Sequence, residues 1–436
     1  MSELRLQPNM QLGVSLQADS PEQAAEGHVQ SVLLRQLGVR SCLVSCSWSR
    51  LEPISGQFSR GEFDALRAQL MRLRALGIEP LLCLWHGNDP DWLGGWRREE
   101  SVQLYLRYVQ RVLDEVGHLT AEYLSFAEPN SLLLSFHKPD MKSLSAVAAG
   151  HLRAYRLIHD WRRSRGFRDT AVGFAPHMYP PSLGGRGTGA LLRLYQDLPL
   201  KAMARGEFSA PLSNPTRMPA GLYCDFLGLM YGLRKLRRSR QRDDLGREIW
   251  PEGVGECCSA LLTAAMRPVY IFDPGTIDWD DSFRARYIYE HLNAICASHQ
   301  PVLRYYYAGL LDGREQEEGL AARRGLFYTD PWTGEVHIKK AANSLPPLSA
   351  AAALLRRISS TMWPGRATGR DERDYGEICF PPHQQGRDAG AGLVLVRHTS
   401  CHRRRLCGPS LLRRGGHRPR AGAGRLPGGR AGPAGL

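Results

Sequence analysis

The chain is poor in everything that would mark a metal, redox or nucleotide enzyme. Its 10 cysteines include no Cys-x-x-Cys pair, and Cys257 and Cys258 are adjacent. That spacing supplies neither a zinc knuckle nor a disulfide framework, and no His/Cys cluster has ligand spacing. There is no Walker-type phosphate loop, no Gly-x-Gly-x-x-Gly opening a helix after a strand, and no Gly-x-Ser-x-Gly nucleophile turn. No cofactor and no metal are therefore expected. The N-terminus, Met1-Ser-Glu-Leu-Arg-Leu-Gln, lacks the apolar core of a signal peptide, and no apolar run is long enough to span a bilayer. Cys42, Cys46 and Cys83 fall in apolar, strand-like runs, where a buried free thiol is the ordinary state. A cytoplasmic, reducing setting without a membrane partner is the expectation.

Acidic residues are absent from 389–436 and lysine from 362 onward, while arginine, glycine and proline accumulate. Ten arginines lie in 389–436, so removing them from the formal +14 leaves only +4 on the rest. Nucleic acid is not an expected partner, because the body is not notably basic and the tail has no interleaved aromatics for stacking. Residues 362–436 read as a disordered, low-complexity basic tail, with the composition of GC-rich DNA translated in an altered frame. A second basic cluster, 234–242, is followed by Asp243-Asp244 and reads as a solvated loop.

What is present is alternation. Strand-like runs at 10–16, 41–47, 79–84, 123–127, 170–174, 225–230, 269–272 and 301–307 are separated by amphipathic stretches such as 61–76, 101–116, 143–165 and 281–298. Eight strands alternating with helices predict a (β/α)8 barrel over residues 1–361, whose chemistry lies at the C-terminal strand ends. Two acids close such runs, Glu128 after the fourth and Asp273 after the seventh. Two carboxyls so placed can divide the work of glycosidic cleavage between proton transfer and attack.

The motifs, in order, resemble glycoside hydrolase family 1, the β-glucosidase and 6-phospho-β-glucosidase family. Ser47-Trp-Ser-Arg-Leu-Glu-Pro53 resembles its second-strand signature, and Leu84-Trp-His86 with Pro90-Asp-Trp-Leu93 its third-strand segment. Glu128-Pro129 stands at the acid/base motif, Asp225-Phe-Leu-Gly228 at the sixth strand, and Val269-Tyr-Ile271 with Asp273 and Gly275 at the nucleophile strand. Arg284, Tyr287, His291 and Leu292 follow at the family's helix spacing, and Leu310-Leu-Asp312 with Glu315 echoes its eighth-strand segment. The resemblance implies a small β-linked glycoside as substrate. Glu128 would be acid/base, Asp273 nucleophile, and His86 and Glu315 sugar-binding, with Tyr231 the candidate to contact the nucleophile.

The departures concentrate around the nucleophile. The family's second-strand arginine is Leu43, the asparagine before the acid/base is Ala127, and the two eighth-strand tryptophans are Ala308 and Gln316. The nucleophile is an aspartate, withdrawn by roughly one methylene and followed by Pro274, which keeps Asp273 extended. The reading is thus a β-glucosidase-like hydrolase with two carboxylates. Its alternative is a degenerate barrel that binds carbohydrate, or a partner, without hydrolysis. Trp85, Trp92 and Trp96 are expected to pack rather than stack on sugar, and His151 and His159 to be structural.

Overall fold

The computed structural model describes residues 9–19, 21–98, 100–130, 140–183, 193–231, 241–312, 323–330 and 335–344. Glu315, Gln316, most of the 234–242 cluster and the 362–436 tail lie outside the described residues.

Eight parallel strands form a closed barrel: β1 (Gln11–Gln17), β2 (Ser41–Ser45), β3 (Glu79–Cys83), β4 (Glu122–Ala127), β5 (Ala171–Ala175), β7 (Phe226–Tyr231), β8 (Val269–Asp273) and β9 (Val302–Ala308). A two-residue strand, β6 (His177–Met178), extends the β5 end alongside β7. Closure comes from β1 pairing β9 and β5 pairing β7. A small antiparallel pair, β10 (Phe327–Thr329) and β11 (Val336–Ile338), follows β9. Every strand read from the alternation is present, with its ends displaced by one or two residues.

The helices fall where the period-3.6 pattern puts them. Arg60–Ala75 starts at Ser59, whose hydroxyl accepts from Glu62 N–H at 3.4 Å, and it ends with Arg72 and Arg74 against the dipole. Met141–Ser164 starts at Asp140, whose carboxylate accepts from Ser143 N–H at 3.1 Å. Among the described residues no helix is long and apolar enough to cross a membrane.

Strand alternation sorts the core into two clusters. Inside the barrel lie Leu43, Leu81, Cys83, Leu124, Ala127, Ala175, Phe226, Met230, Tyr270, Phe272 and Tyr306. The outer cluster between strands and helices takes Val14, Val44, Leu82, Phe126, Leu227, Val269, Ile271, Tyr305 and Tyr307. Stacked aromatics fill the interior: Phe226 on Tyr270 at 4.1 Å and Phe272 on Tyr306 at 5.1 Å. Glycine makes room for them. A Cβ at Gly13 would stand 2.7 Å from the Tyr306 ring, and one at Gly173 would stand 2.5 Å from the Phe226 ring. The N-terminal end of the barrel is closed by Arg304, which donates to Glu122 at 2.7 Å, Glu79 at 2.9 Å and Gln11 at 2.5 Å.

The thiols of Cys42, Cys46 and Cys83 are free and buried, and burial raises all three, Cys42 and Cys83 to about 12. The tryptophans pack. Trp48, Trp85, Trp92 and Trp96 mesh with Tyr105, Tyr108 and Phe126 outside the barrel, for example Trp85 on Phe126 at 5.3 Å and Trp48 on Tyr108 at 5.0 Å.

The close approach at Gly173 is testable. Gly173→Ala puts a methyl 2.6 Å from the Phe226 carbonyl as well as against its ring. The expected cost is about 1–3 kcal/mol in urea unfolding. An unchanged midpoint would contradict this packing.

Candidate functional site

Glu128 stands just beyond the C-terminal end of β4, in the left-handed region at φ 50°. A non-glycine residue adopts that backbone only where its surroundings impose it. Three bonds do so here. Glu128 N–H donates to Ala175 O at 2.7 Å. Asn130 is tied to His177 both ways, its Nδ2 donating to His177 O at 2.8 Å and its Oδ1 accepting from His177 N–H at 2.9 Å. A register shift in β4 between Leu124 and Ala127 sends Phe126 outward and Ala127 inward immediately before the turn.

His86 reaches the same place from the loop after β3. Its neighbour Trp85 is buried against Trp96 and Phe126, and Asp89 accepts from both indoles, at 2.6 Å from Trp85 and 3.2 Å from Trp96. His86 Nε2 lies 3.8 Å from Glu128 Oε2, close enough for charge attraction but beyond direct hydrogen bonding. Both side chains remain partly open, at 31% and 26% exposure, so the pair can meet a ligand.

The electrostatics run against proton donation. Burial pushes the Glu128 carboxyl upward, yet contact with His86 and the nearby charges of His177, His86 and Arg324 outweigh it and hold it below the ordinary 4.5. His177 and Arg324 were not singled out in the sequence. Position could have flagged His177, since Ala175-Pro176-His177 closes the fifth strand just as Ala127-Glu128 closes the fourth.

Asp273 ends β8, as read, but points the other way. It shares the outward strand face with Val269 and Ile271, while Tyr270 and Phe272 take the inward positions. There it is 3% exposed. Tyr305 OH donates to Oδ2 at 2.5 Å, Tyr287 OH donates to Oδ1 at 2.7 Å, and Gly275 N–H donates to Oδ1 at 2.7 Å. Burial and then the Asp273 charge raise both tyrosines well above their usual value, so they remain donors. Tyr231 does not take part. Its hydroxyl donates to Trp250 O at 2.5 Å and its ring faces His291 at 6.1 Å in the outer layer. The structure therefore brings His86 and Glu128 together and sets Asp273 and Tyr231 in the layer between barrel and helices.

The neighbouring matched residues are structural. Leu43 lines the barrel interior, and Asp312 accepts from Lys339 Nζ at 2.7 Å and Gly325 N–H at 2.8 Å. His151 bridges Ser125 at 2.7 Å and Tyr223 O at 2.8 Å, and its burial lowers it to about 4. His159 pairs with Asp225 at 2.8 Å. Among the described residues no group of three His, Cys, Asp or Glu side chains could hold a metal ion.

Two measurements check this geometry. Tyr305→Phe leaves a buried carboxylate oxygen without its donor and is expected to lower stability by about 1–3 kcal/mol in urea unfolding. For Glu128, whose folded carboxyl is depressed, the ionised form stabilises the fold above the ordinary 4.5, and that contribution is lost as pH falls through the lower folded value. The stability difference between wild type and Glu128→Gln should therefore shrink between about pH 5 and pH 3. A difference that grows on acidification would reverse the sign.

The family model for glycosyl hydrolase family 1 matches residues 26–166. Among curated relatives, the "Beta-glucosidase-like SFR2, chloroplastic" of Oryza sativa subsp. japonica is 26% identical over 68% of this chain and 51% of its own length. The "Galactolipid galactosyltransferase SFR2, chloroplastic" of Arabidopsis thaliana is 24% identical over 68% and 53%. Mouse Klotho is 24% identical over 68% and 34%. The chain thus spans about half or less of the length of these relatives. Among solved structures, a β-glucosidase from Thermotoga maritima superposes with TM-score 0.67 at 17% identity, covering 81% of this chain and 99% of that one. A β-glycosidase from Pyrococcus horikoshii gives 0.66 at 21% over 81% and 98%. By its ordered motifs, its closed eight-stranded barrel and the match at 26–166, the chain belongs to glycosyl hydrolase family 1.

Proposed function

We propose that this barrel binds a β-linked glycoside at the mouth around His86, Glu128 and His177 without cleaving it through a covalent glycosyl intermediate. The observation that carries the proposal is the outward orientation of Asp273, with both oxygens engaged by Tyr287, Tyr305 and Gly275. A nucleophile must present a free oxygen to the anomeric carbon. For Asp273 to do so, its side chain would have to cross from one strand face to the other. Three hydrogen bonds to a buried carboxylate would be broken on the way, and hydrogen bonds to charged groups contribute about 1.5–3 kcal/mol each. The inward position nearest to it holds Phe272, stacked on Tyr306.

Glu128 supports the recognition half of the proposal. An ionised, partly open carboxylate beside an imidazole offers acceptor and donor at one point, the pairing that a vicinal diol of a sugar satisfies. A carboxyl held below its ordinary value is a poor proton donor at neutral pH, so the leaving-group step lacks its acid. The activities printed for relatives, β-glucosidase and galactosyltransferase, support a sugar as the ligand class.

Calorimetric titration with alkyl and aryl β-glycosides, together with hydrolysis assays on the same panel, tests both halves. Binding is expected to weaken about tenfold or more in His86→Ala and Glu128→Ala, in line with loss of a charged hydrogen bond. No glycosyl adduct on Asp273 is expected in mass spectra after incubation with activated 2-fluoro glycosides. Turnover that vanishes in Asp273→Asn, with the fold intact, would reinstate Asp273 as nucleophile and overturn the non-hydrolytic reading.

A further inference from the structure

Outside the barrel, between β1, the end of the Pro21–Leu37 helix and the Arg284–Ala297 helix, lies a cavity of about 200 Å³. Met10, Leu12, Leu37, Val39, Leu292 and Leu326 give it apolar walls, and Tyr305 and Tyr307 of β9 stand behind it. In a (β/α)8 barrel each strand is followed by a helix that packs back on the sheet. Among the described residues β9 is followed only by the β10–β11 pair and the five-residue helix Lys340–Ser344. The cavity occupies the place where a helix following β9 would lie, between the helices flanking β1 and β9.

We infer that residues 345–361 of this same chain are the occupant, packing as an apolar-faced helix into this groove. The described chain stops at its rim. The Lys340–Ser344 helix packs on Arg284–Ala297, and Ala341 N–H donates to Asp281 Oδ2 at 3.0 Å, at the end where that helix begins. A segment leaving from there runs from the C-terminal strand ends toward Met10, Leu37 and Val39, the direction taken by a helix that returns from a parallel strand.

The sequence has the required stripe. Leu348, Ala351, Ala352, Leu355 and Ile358 recur at i, i+3, i+4, i+7 and i+10, with Arg356 and Arg357 between. Pro346 and Pro347 suit a first turn, and Pro364 stops the run. Seventeen residues is the length of the Pro21–Leu37 helix on one side of the groove. The stripe's leucines and isoleucine are apolar groups of the kind a dry cavity accepts. Because Tyr305 holds Asp273, the docked segment also seals the outer side of that carboxylate's network.

Amide hydrogen exchange on the full chain distinguishes the occupants. Leu355→Asp with Ile358→Asp should speed exchange in 10–14 and 288–292 by at least about tenfold, because a buried charge forfeits docking. Segments 81–84 and 123–126, on the far side of the barrel, should keep their rates. Arg356→Asp with Arg357→Asp, on the opposite face, should change neither pair, and the milder Leu355→Ala should give a smaller effect confined to the same segments. The inference is overturned if the apolar-face variants leave 10–14 and 288–292 unchanged. It is equally overturned if protection falls evenly around the barrel. Loss of protection on removing 362–436 alone would assign the groove to the tail instead.

Discussion

A closed barrel leaves each strand residue two choices, inward or outward, and that binary constraint governs the whole structure. The interior admits two aromatic stacks only because Gly13 and Gly173 carry no side chains. The outer face takes the aliphatic residues that meet the helices. A carboxylate at a strand end inherits the face its position dictates. Glu128 escapes through a register shift and a left-handed turn, and it emerges at the mouth. Asp273 follows the regular alternation of β8 and is delivered to the helix layer.

The electrostatic consequences follow from placement. Asp273, buried between strand and helix, is satisfied by two tyrosine hydroxyls and a backbone amide, a full set of donors with no cation. This explains how the chain dispenses with an arginine on β2, where Leu43 faces the interior. Glu128 sits among His86, His177 and Arg324, whose combined pull outweighs burial. The two acids have therefore exchanged the environments a two-carboxylate hydrolase requires, since the one at the mouth is a weak acid and the other is out of reach.

The architecture was legible because it rests on periodicity, which is local. Every barrel strand and the four named helices can be read from alternating or 3.6-spaced apolar residues. The packing roles of Trp85, Trp92 and Trp96, and the structural roles of His151 and His159, were likewise readable from their apolar or helical settings. The pairing of His86 with Glu128 could be anticipated from motif order. The partners Tyr287 and Tyr305 could not, because 14 and 32 residues separate them from Asp273 and only barrel closure and helix packing bring them to it.

Residue order alone established the family, the barrel and the strand ends at which Glu128 and Asp273 fall. Motif spacing and alternation survive without knowledge of any long-range contact. The direction in which each acid points was decided only by the folded chain. A one-residue shift in a strand reverses a side chain's face, and whether that shift occurs depends on neighbouring strands. Adjacent residues thus part company: Phe272 turns to the barrel's centre while Asp273 turns to Tyr287 and Tyr305.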